Sequence, residues 1–239
     1  MWGTVINAAC VLAGGAAGLL KAPTPRAATQ HWLKLACGAA ALFVGFHVVW
    51  RNVNGPALAI LKQLAIVFAA LVLGRLTGRW LGLQRSLNQA GRFASAHLVD
   101  PAHARASSFH ENFAAASVIF CLAPLALLGP ILEGLGSDAR PLVVKAAIDG
   151  LAAWSLGRSA RWGVLAATFP LFCLQGTITL ASQAAAPWLE ARELAAPICT
   201  VAGLLVVFVS LMIFGLSRIQ MADYFPSLLW APMLTWLLA

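Results

Sequence analysis

Charged side chains are scarce in this sequence. They make up 10% of its 239 residues, whereas an ordinary soluble domain carries about 25%. Hydrophobic residues make up 61%, and the mean hydropathy is +0.83. A water-soluble protein of this composition could not cover its surface with polar atoms, which excludes the soluble globular class. The sequence therefore predicts an all-α integral membrane protein, with lipid as its solvent.

Motifs that carry chemistry are also lacking. The five cysteines all lie in apolar stretches without a CxxC pair, and we interpret them as small buried hydrophobes. The five histidines show no metal-ligand spacing, and there is no nucleophile elbow or phosphate-binding loop. No basic run with interleaved aromatics could follow a nucleic-acid backbone. The sequence thus predicts no enzyme, no metal or other cofactor, and no nucleic-acid partner.

Long hydrophobic runs are abundant and predict a polytopic transmembrane helical bundle of seven to eight spans, because one crossing takes about 20 residues. The predicted spans are Thr4–Leu20, Trp32–Trp50, Pro56–Leu76, Asn112–Leu132, Leu142–Gly157, Trp162–Leu189, Pro197–Leu216 and Phe225–Ala239. The fifth and eighth are short for a hydrocarbon core of about 30 Å. Each is either a tilted helix in a thinned membrane or a re-entrant half-helix that lines a cavity.

The chain is expected to form a single transmembrane domain, 1–239, in two halves. The first half is 1–78, a surface linker covers 79–108, and the second half is 109–239. Within 79–98 apolar residues recur near helical spacing between arginines and glutamines, which predicts an amphipathic helix on the membrane surface. Its basic face suits anionic lipids, which we expect as partners.

A short internal sequence similarity relates the two halves of the chain. Gly3–Ala8 opens the first span, and the similar stretch Gly176–Ala181 lies in the sixth. Two further apolar segments follow each stretch, and an offset of five spans reverses the direction of the chain. This similarity predicts an inverted repeat with broken or re-entrant helices, an arrangement typical of secondary transporters.

The net charge of +8 is attributed to membrane orientation, because Lys and Arg concentrate in cytoplasmic loops. With eight crossings and the N-terminus outside, most basic residues fall on the cytoplasmic side. These are Lys21, Arg26, Lys34, Arg75, Arg79, Arg85, Arg92, Arg105, Arg158, Arg161 and Arg218. The pattern predicts that both termini lie outside. No charged leader precedes the first span, which is therefore expected to be retained.

Glycines form smooth faces that let helix backbones approach closely in lipid. They are Gly14, Gly15 and Gly18 in the first span and Gly74, Gly78 and Gly82 at the end of the third. Such faces serve either packing within one chain or the seam of a homo-oligomer, and the sequence does not separate the two.

Lys145 and Asp149 are spaced i, i+4 and so share a helix face. A charge in hydrocarbon costs on the order of 2.5–3.5 kcal/mol even on insertion scales, so such groups are candidates for function. The pair is either a structural ion pair near the outer surface or a coupling carboxylate tuned by its lysine. Glu111, at the cytoplasmic entry of the fourth span, is either a further coupling group or a helix cap.

Other polar residues are candidates for solute binding. The junction between the fifth and sixth segments carries Arg158, Ser159 and Arg161, which either hold a carboxylate or phosphate or form a plain cytoplasmic loop. Uncharged hydrogen-bonding groups lie at membrane depth, and they either bond neighbouring helices or line a polar path. They include Asn7, Gln175, Thr179 and Ser182, the last three on one helix face.

Short motifs spread over nearly the whole chain form a recognisable set. They are Gly3-Thr4-Val5-Ile6-Asn7 with Gly14-Gly15 and Gly18; Leu73-Gly74 with Gly78; Phe109, Glu111, Phe113 and Ala116-Ser117 before Phe120-Cys121; Lys145 with Asp149-Gly150; Pro170 with Gln175-Gly176; and Pro226 with Ala231-Pro232. With them the chain resembles bacterial inner-membrane proteins of the domain-of-unknown-function 554 family. The resemblance implies a multi-pass inner-membrane protein of a family often described as transporters, with no assigned substrate. The chain departs from the expected pattern at Arg158–Arg161, where a small uncharged stretch is expected, and at Arg79, where an acidic residue is common.

Together these features predict a secondary transporter or facilitator of a small polar or anionic solute across the bacterial inner membrane. The expected solute-binding residues are Asn7, Asp149, Arg158, Ser159, Arg161, Gln175 and Thr179, and the expected coupling residues are Asp149, Lys145 and Glu111. The alternatives are a passive channel and a non-transporting membrane scaffold or regulatory protein.

Overall fold

The computed structural model describes residues 1–98, 108–136 and 138–238, and within these ranges the chain is helical without a strand. The helices are α1 Trp2–Leu19, α2 Ala27–Asn52, α3 Ala57–Leu81, α4 Leu83–Leu98, α5 Phe109–Cys121, α6 Leu125–Gly134, α7 Arg140–Ala160, α8 Trp162–Ala166, α9 Thr168–Glu190, α10 Ala195–Ile213 and α11 Ser227–Leu238, with a 3-10 turn at Met221–Tyr224. The predicted all-α transmembrane class is confirmed.

The predicted count of seven to eight spans is not confirmed. By length and composition, five helical segments can cross a membrane, namely α1, α2, α3, α8–α9 together and α10, and the bent pair α5–α6 would make six. Helix α7 falls outside this set because Lys145, Asp149 and its terminal arginines lower its hydropathy. Helix α11 falls outside it because 12 residues span only about 18 Å.

The predicted fourth span, Asn112–Leu132, is two helices rather than one. Helices α5 and α6 meet at an angle of 54° across residues 122–124. Pro124 has no N–H and therefore cannot donate the helical hydrogen bond to the carbonyl oxygen of Phe120. The sequence thus ends α5 at Cys121 and leaves this carbonyl without a partner in its own helix.

The sequence predicts either a tilted helix or a re-entrant half-helix at Leu142–Gly157, and the structure shows an unbroken helix there. Helix α7 is continuous over 21 residues, which is about 31 Å at 1.5 Å per residue. Pro141 lies in its first turn, where a missing N–H costs nothing and the fixed φ favours the helix. The segment looked short because Arg140 and Arg158 were assigned to loops, although both belong to the helix.

Glycines bring α1 and α7 into backbone contact along their length. The two helices run parallel, with Gly14 beside Gly150 and Gly18 beside Gly157. A Cβ added to Gly14 would overlap the carbonyl oxygen of Gly150, so this position excludes a side chain. Packing within the chain is therefore confirmed for the glycine face of the first span. Gly82 differs from the expectation, since it has a φ of 67° and ends α3 instead of contacting a helix.

Antiparallel pairs complete the bundle. Helix α2 packs on α10, α3 on α11, and α1 on α9. Gly45 lies against Gly203 in the first pair, and Gly78 lies against Asp223 where α3 meets the 3-10 turn. A two-fold relation between the chain halves would produce these three pairings, although the inverted repeat itself stays a prediction.

The bundle has two ends, which we name by the residues that mark them. At the Glu133 end α1 and α7 begin, and Gly3 bonds Glu133. At the Trp154 end the indole N–H of Trp154 donates to the carbonyl oxygen of Ala22. The basic residues expected on the cytoplasmic side gather at the Trp154 end, except for Arg105, which lies outside the described residues. Which end faces the cytoplasm stays a prediction.

The amphipathic segment expected at 79–98 is largely helix α4, which begins at Leu83 after Gly82 ends α3. Ala94 and Leu98 are buried in the cluster that includes residues of α5. Arg85 and Arg92 are exposed. Helix α4 therefore packs one face against the other helices of the bundle instead of lying apart from them. Residues 99–107 of the expected linker lie outside the described residues.

Candidate functional site

A lysine–aspartate pair lies buried midway along α7. Lys145 is 1% exposed and Asp149 is 6% exposed. The Lys145 ammonium donates to the Asp149 carboxylate and, over 3.0 Å, to the carbonyl oxygen of Phe120. The predicted i, i+4 contact is therefore present. It lies in the protein interior beside the α5–α6 break, and both interpretations of the pair, a structural ion pair near the outer surface and a coupling carboxylate, stay predictions.

The break between α5 and α6 explains why the lysine is held there. Pro124 leaves the Phe120 carbonyl without its helical donor, and a buried carbonyl needs a partner. Lys145 supplies that donor from α7. Sequence reasoning missed this contact, although Pro124 within an apolar run and Lys145 within the next were both visible.

Two amides from α1 and α9 meet next to the pair. The side-chain nitrogen of Asn7 donates to the side-chain oxygen of Gln175 over 3.1 Å, and the Asn7 amide lies beside the Asp149 carboxylate. Both amides are fully buried. Oδ1 of Asn7 and Nε2 of Gln175 have no hydrogen-bond partner among the described residues. The site therefore contains one free acceptor and one free donor.

Two hydroxyls continue this line of polar groups toward the Glu133 end. Thr4 and Thr179 are fully buried, with their oxygens 3.3 Å apart. The Thr4 hydroxyl also donates to Glu133 over 3.3 Å, and the Gly3 N–H donates to the same carboxylate over 2.7 Å. We call Glu133, Thr4, Thr179, Gln175, Asn7, Asp149 and Lys145 the polar track.

The structure brings only some of the expected site residues together. Asn7, Gln175, Thr179, Asp149 and Lys145 join the polar track. Sequence reasoning missed Thr4 and Glu133. The signal for Thr4 was its place one helical turn before Asn7, on the same face of α1. No comparable signal pointed to Glu133, because its approach to α1 depends on how α6 packs.

The arginine junction is separate from the polar track. Arg158 lies nine residues after Asp149 on α7, which is about 14 Å along the helix axis. Arg158 and Arg161 are exposed at the Trp154 end, where Arg158 reaches the Thr24 hydroxyl over 3.5 Å. The Ser159 hydroxyl donates to the backbone of its own helix. The expected grouping of these residues with Gln175 is therefore absent. Gln175 lies next to Asp149, and nine residues of α7 separate Asp149 from Arg158.

Glu111 caps α5. Its carboxylate accepts from the Ser108 N–H over 2.8 Å, and the Ser108 hydroxyl accepts from the Glu111 N–H, which together form a capping box. Glu111 is exposed and lies nine residues before Phe120. The capping interpretation is confirmed.

A pocket of 800 Å³ opens at the Glu133 end, and we call it the vestibule. Its polar lining includes two basic and two acidic residues, Arg51, Lys62, Glu190 and Glu193. Leu135, two residues after Glu133, also lines it. None of the residues of the polar track lines the vestibule. Among the described residues, no group of three or more His, Cys, Asp or Glu could hold a metal ion.

Comparison with known proteins places the chain in a family. A family model described as "Protein of unknown function (DUF554)" matches residues 2–236. The chain belongs to this family. It is 26% identical over 233 residues to "Uncharacterized membrane protein YdfK" of Bacillus subtilis (strain 168), covering 97% of this chain and 94% of that one. It is 28% identical over 235 residues to "Uncharacterized protein YqgA" of Escherichia coli (strain K12), covering 96% and 94%. No solved structure matches this DUF554 chain.

Proposed function

We propose that this DUF554 protein is a secondary transporter or facilitator that moves a small polar solute across the bacterial inner membrane, with the Glu133 end outside. One observation carries the proposal. A free hydrogen-bond acceptor on Asn7 and a free donor on Gln175 lie buried beside the Lys145–Asp149 pair, next to a broken helix. Broken helices at the solute site are typical of secondary transporters.

The energetics favour a working site over a scaffold. A buried polar atom without a partner costs about 1–3 kcal/mol. A buried ion pair is often no more stable than apolar residues of the same volume. If Asn7, Gln175, Lys145 and Asp149 were apolar, a scaffold would lose only the donor to the Phe120 carbonyl. A solute with one donor and one acceptor would satisfy both free amide groups.

The proposed roles follow from the positions of the residues. Asn7, Gln175 and Thr179 contact the solute, while Asp149 and Lys145 couple its movement to a change in the helix break. Arg158 and Arg161 are exposed at the Trp154 end, where their charges would attract an anionic solute to the protein surface rather than bind it in the polar track.

We assign the vestibule as the entry for the solute at the Glu133 end, because it is a pocket of suitable size at this end of the bundle. Its 800 Å³ falls within the range of about 300–1,000 Å³ that is usual for small-molecule pockets. Charges of both signs line it, so it suits a neutral or zwitterionic polar solute better than a simple anion.

Uptake by proteoliposomes tests the proposal. The purified protein would be assayed with a panel of radiolabelled amino acids, carboxylates and sugars, with and without an imposed ion gradient. Asp149→Asn should abolish gradient-driven uptake. Asp138→Asn is the matched control, because Asp138 bonds Arg140 at the start of α7, outside the polar track. Uptake unchanged in Asp149→Asn, or no flux of any solute through folded protein, would overturn the proposal.

We also propose that α4 binds anionic lipid head groups. Arg85 and Arg92 are exposed on it, and Trp80, at the end of α3, is 85% exposed. Each basic residue near a charged membrane surface contributes about 1 kcal/mol. Arg85→Gln with Arg92→Gln should therefore weaken phosphatidylglycerol binding in native mass spectrometry by roughly 30-fold, from the two contributions together. Arg192→Gln, at the other end over Trp188, is the control, and an equal loss in both proteins would contradict the assignment.

A further inference from the structure

The Lys145 ammonium lies between two oxygen atoms that belong to different helices. It donates to the Asp149 carboxylate on α7 and to the Phe120 carbonyl oxygen at the end of α5. Backbone carbonyls that a broken helix leaves free are among the groups that coordinate Na⁺ in transporters. Without the lysine, this carboxylate and this carbonyl would form an unoccupied cation site.

Charge balance leads to the same conclusion. Asp149 is 6% exposed, and a carboxylate that stays ionised at such a place needs a positively charged partner. Lys145 comes from one turn earlier on the same helix, and its flexible four-carbon stem places the ammonium at the break. The chain thus supplies its own cation where a free ion would otherwise be needed.

We propose that the Phe120 carbonyl and the Asp149 carboxylate form a monovalent-cation site that is filled by the tethered ammonium of Lys145. Removing the ammonium opens the site to Na⁺, K⁺ or a small organic ammonium ion. If the protein is a transporter, as proposed above, movement of the Lys145 ammonium out of this site takes the place of the release of a bound cation. The wild-type protein then needs no alkali cation at this site. The site itself does not depend on transport.

A plain structural ion pair would behave differently. If Lys145 only neutralised Asp149, its loss would lower the stability to the same extent in every salt. A cation site requires that the loss be restored by one class of solute, small monovalent cations, and that the restoration need the carboxylate.

Thermal unfolding of the purified full-length protein distinguishes the two. Lys145→Ala would be melted in NaCl, KCl, methylammonium chloride and, as the inert reference, N-methyl-D-glucamine chloride of equal ionic strength. We expect a saturable rise in its Tm with Na⁺ or methylammonium that the wild type does not show. The double variant Lys145→Ala/Asp149→Asn should show no such rise. Lys145→Met, which retains more of the stem volume, is the second variant if the alanine variant is too unstable.

The outcomes separate this inference from the transport proposal. Equal responses of the single and double variants, or a wild type that responds as Lys145→Ala does, would overturn the cation site. Failure of both Lys145 variants to fold even in high NaCl would also count against it, because added cation should restore them. If the cation response is present but no solute is transported, only the transport proposal fails. If Asp149→Asn abolishes uptake but no cation response is present, only the cation site fails.

Discussion

The Lys145–Asp149 pair allows a quantitative prediction, because the two residues can be removed singly or together. Asp149→Leu leaves Lys145 with the Phe120 carbonyl alone, and Lys145→Met leaves a buried carboxylate without its cation. Breaking a buried pair by removing one partner costs about 3–5 kcal/mol. Each single variant should therefore lower the free energy of unfolding by that amount.

Replacing both residues should cost much less than the two single changes together. Removing an entire buried pair is often neutral or stabilising by about 1–4 kcal/mol. Here that gain is offset, because the Phe120 carbonyl loses its donor at a cost of about 1–3 kcal/mol. The double variant should thus lie within about 3 kcal/mol of the wild type, which the opposing contributions imply. It should nevertheless be inactive in uptake.

Reversible unfolding in mixed micelles, followed by the fluorescence of the nine tryptophans, measures these differences. The buffer should contain N-methyl-D-glucamine rather than Na⁺, so that no free ion replaces Lys145. The control cycle uses Asp138 and Arg140, whose atoms are 3.7 Å apart; the arginine side chain is 55% exposed and the aspartate side chain 7%. Because the arginine is open to solvent, this pair should contribute only about 1 kcal/mol, near the upper value for exposed pairs. If the coupling energy of the buried pair were no larger than that of the exposed pair, the reasoning from burial would be refuted.

Three further variants test separate parts of the fold. Gly14→Val should prevent folding, since its Cβ would overlap the backbone of α7. Gly91→Ala has open space at its Cβ and should stabilise α4 by about 0.5–1 kcal/mol. Size-exclusion chromatography and thermal unfolding compare the two variants, and equal behaviour would contradict the backbone contact. Pro124→Ala should return a helical donor to Phe120 and straighten α5–α6, which distances between spin labels at the two ends would reveal; an unchanged bend would show that other packing sets it. Thr4→Val should lower the affinity for solute, while Thr4→Ser should retain it because the hydroxyl remains; equal loss in both would point to packing instead.

Much of the bundle could be predicted from the sequence. The first three spans agree with α1, α2 and α3 to within a few residues, because uninterrupted apolar runs give unambiguous helices in lipid. Helix α7 was harder to predict. Its charged residues lowered its apparent hydropathy, and only the packing of α1 along its whole length shows that it runs through the bundle.

The candidate site was predictable residue by residue but not as an arrangement. Lys145 and Asp149 were paired correctly, since i, i+4 spacing on one helix is a local property. Asn7 and Gln175 were both singled out, yet their contact joins residues 168 positions apart. Arg158 was expected to act with Gln175 because the junction between the fifth and sixth segments carries two arginines and a serine that could hold an anion. In the structure Arg158 lies nine residues of helix after Asp149, which is about 14 Å, so the junction is separate from the polar track.

The site depends on the close approach of α1 and α7. Ordinary helix pairs lie 8–10 Å apart, and at that separation the short amide of Asn7 would have difficulty reaching Asp149. Gly14 and Gly150 remove the side chains that would hold the helices apart. The amide can then contact the carboxylate while Lys145, on the same helix as Asp149, reaches the α5–α6 break. The glycine face therefore positions the polar site as well as the helices, and a side chain at Gly14 should weaken both the fold and any cation response of Lys145→Ala.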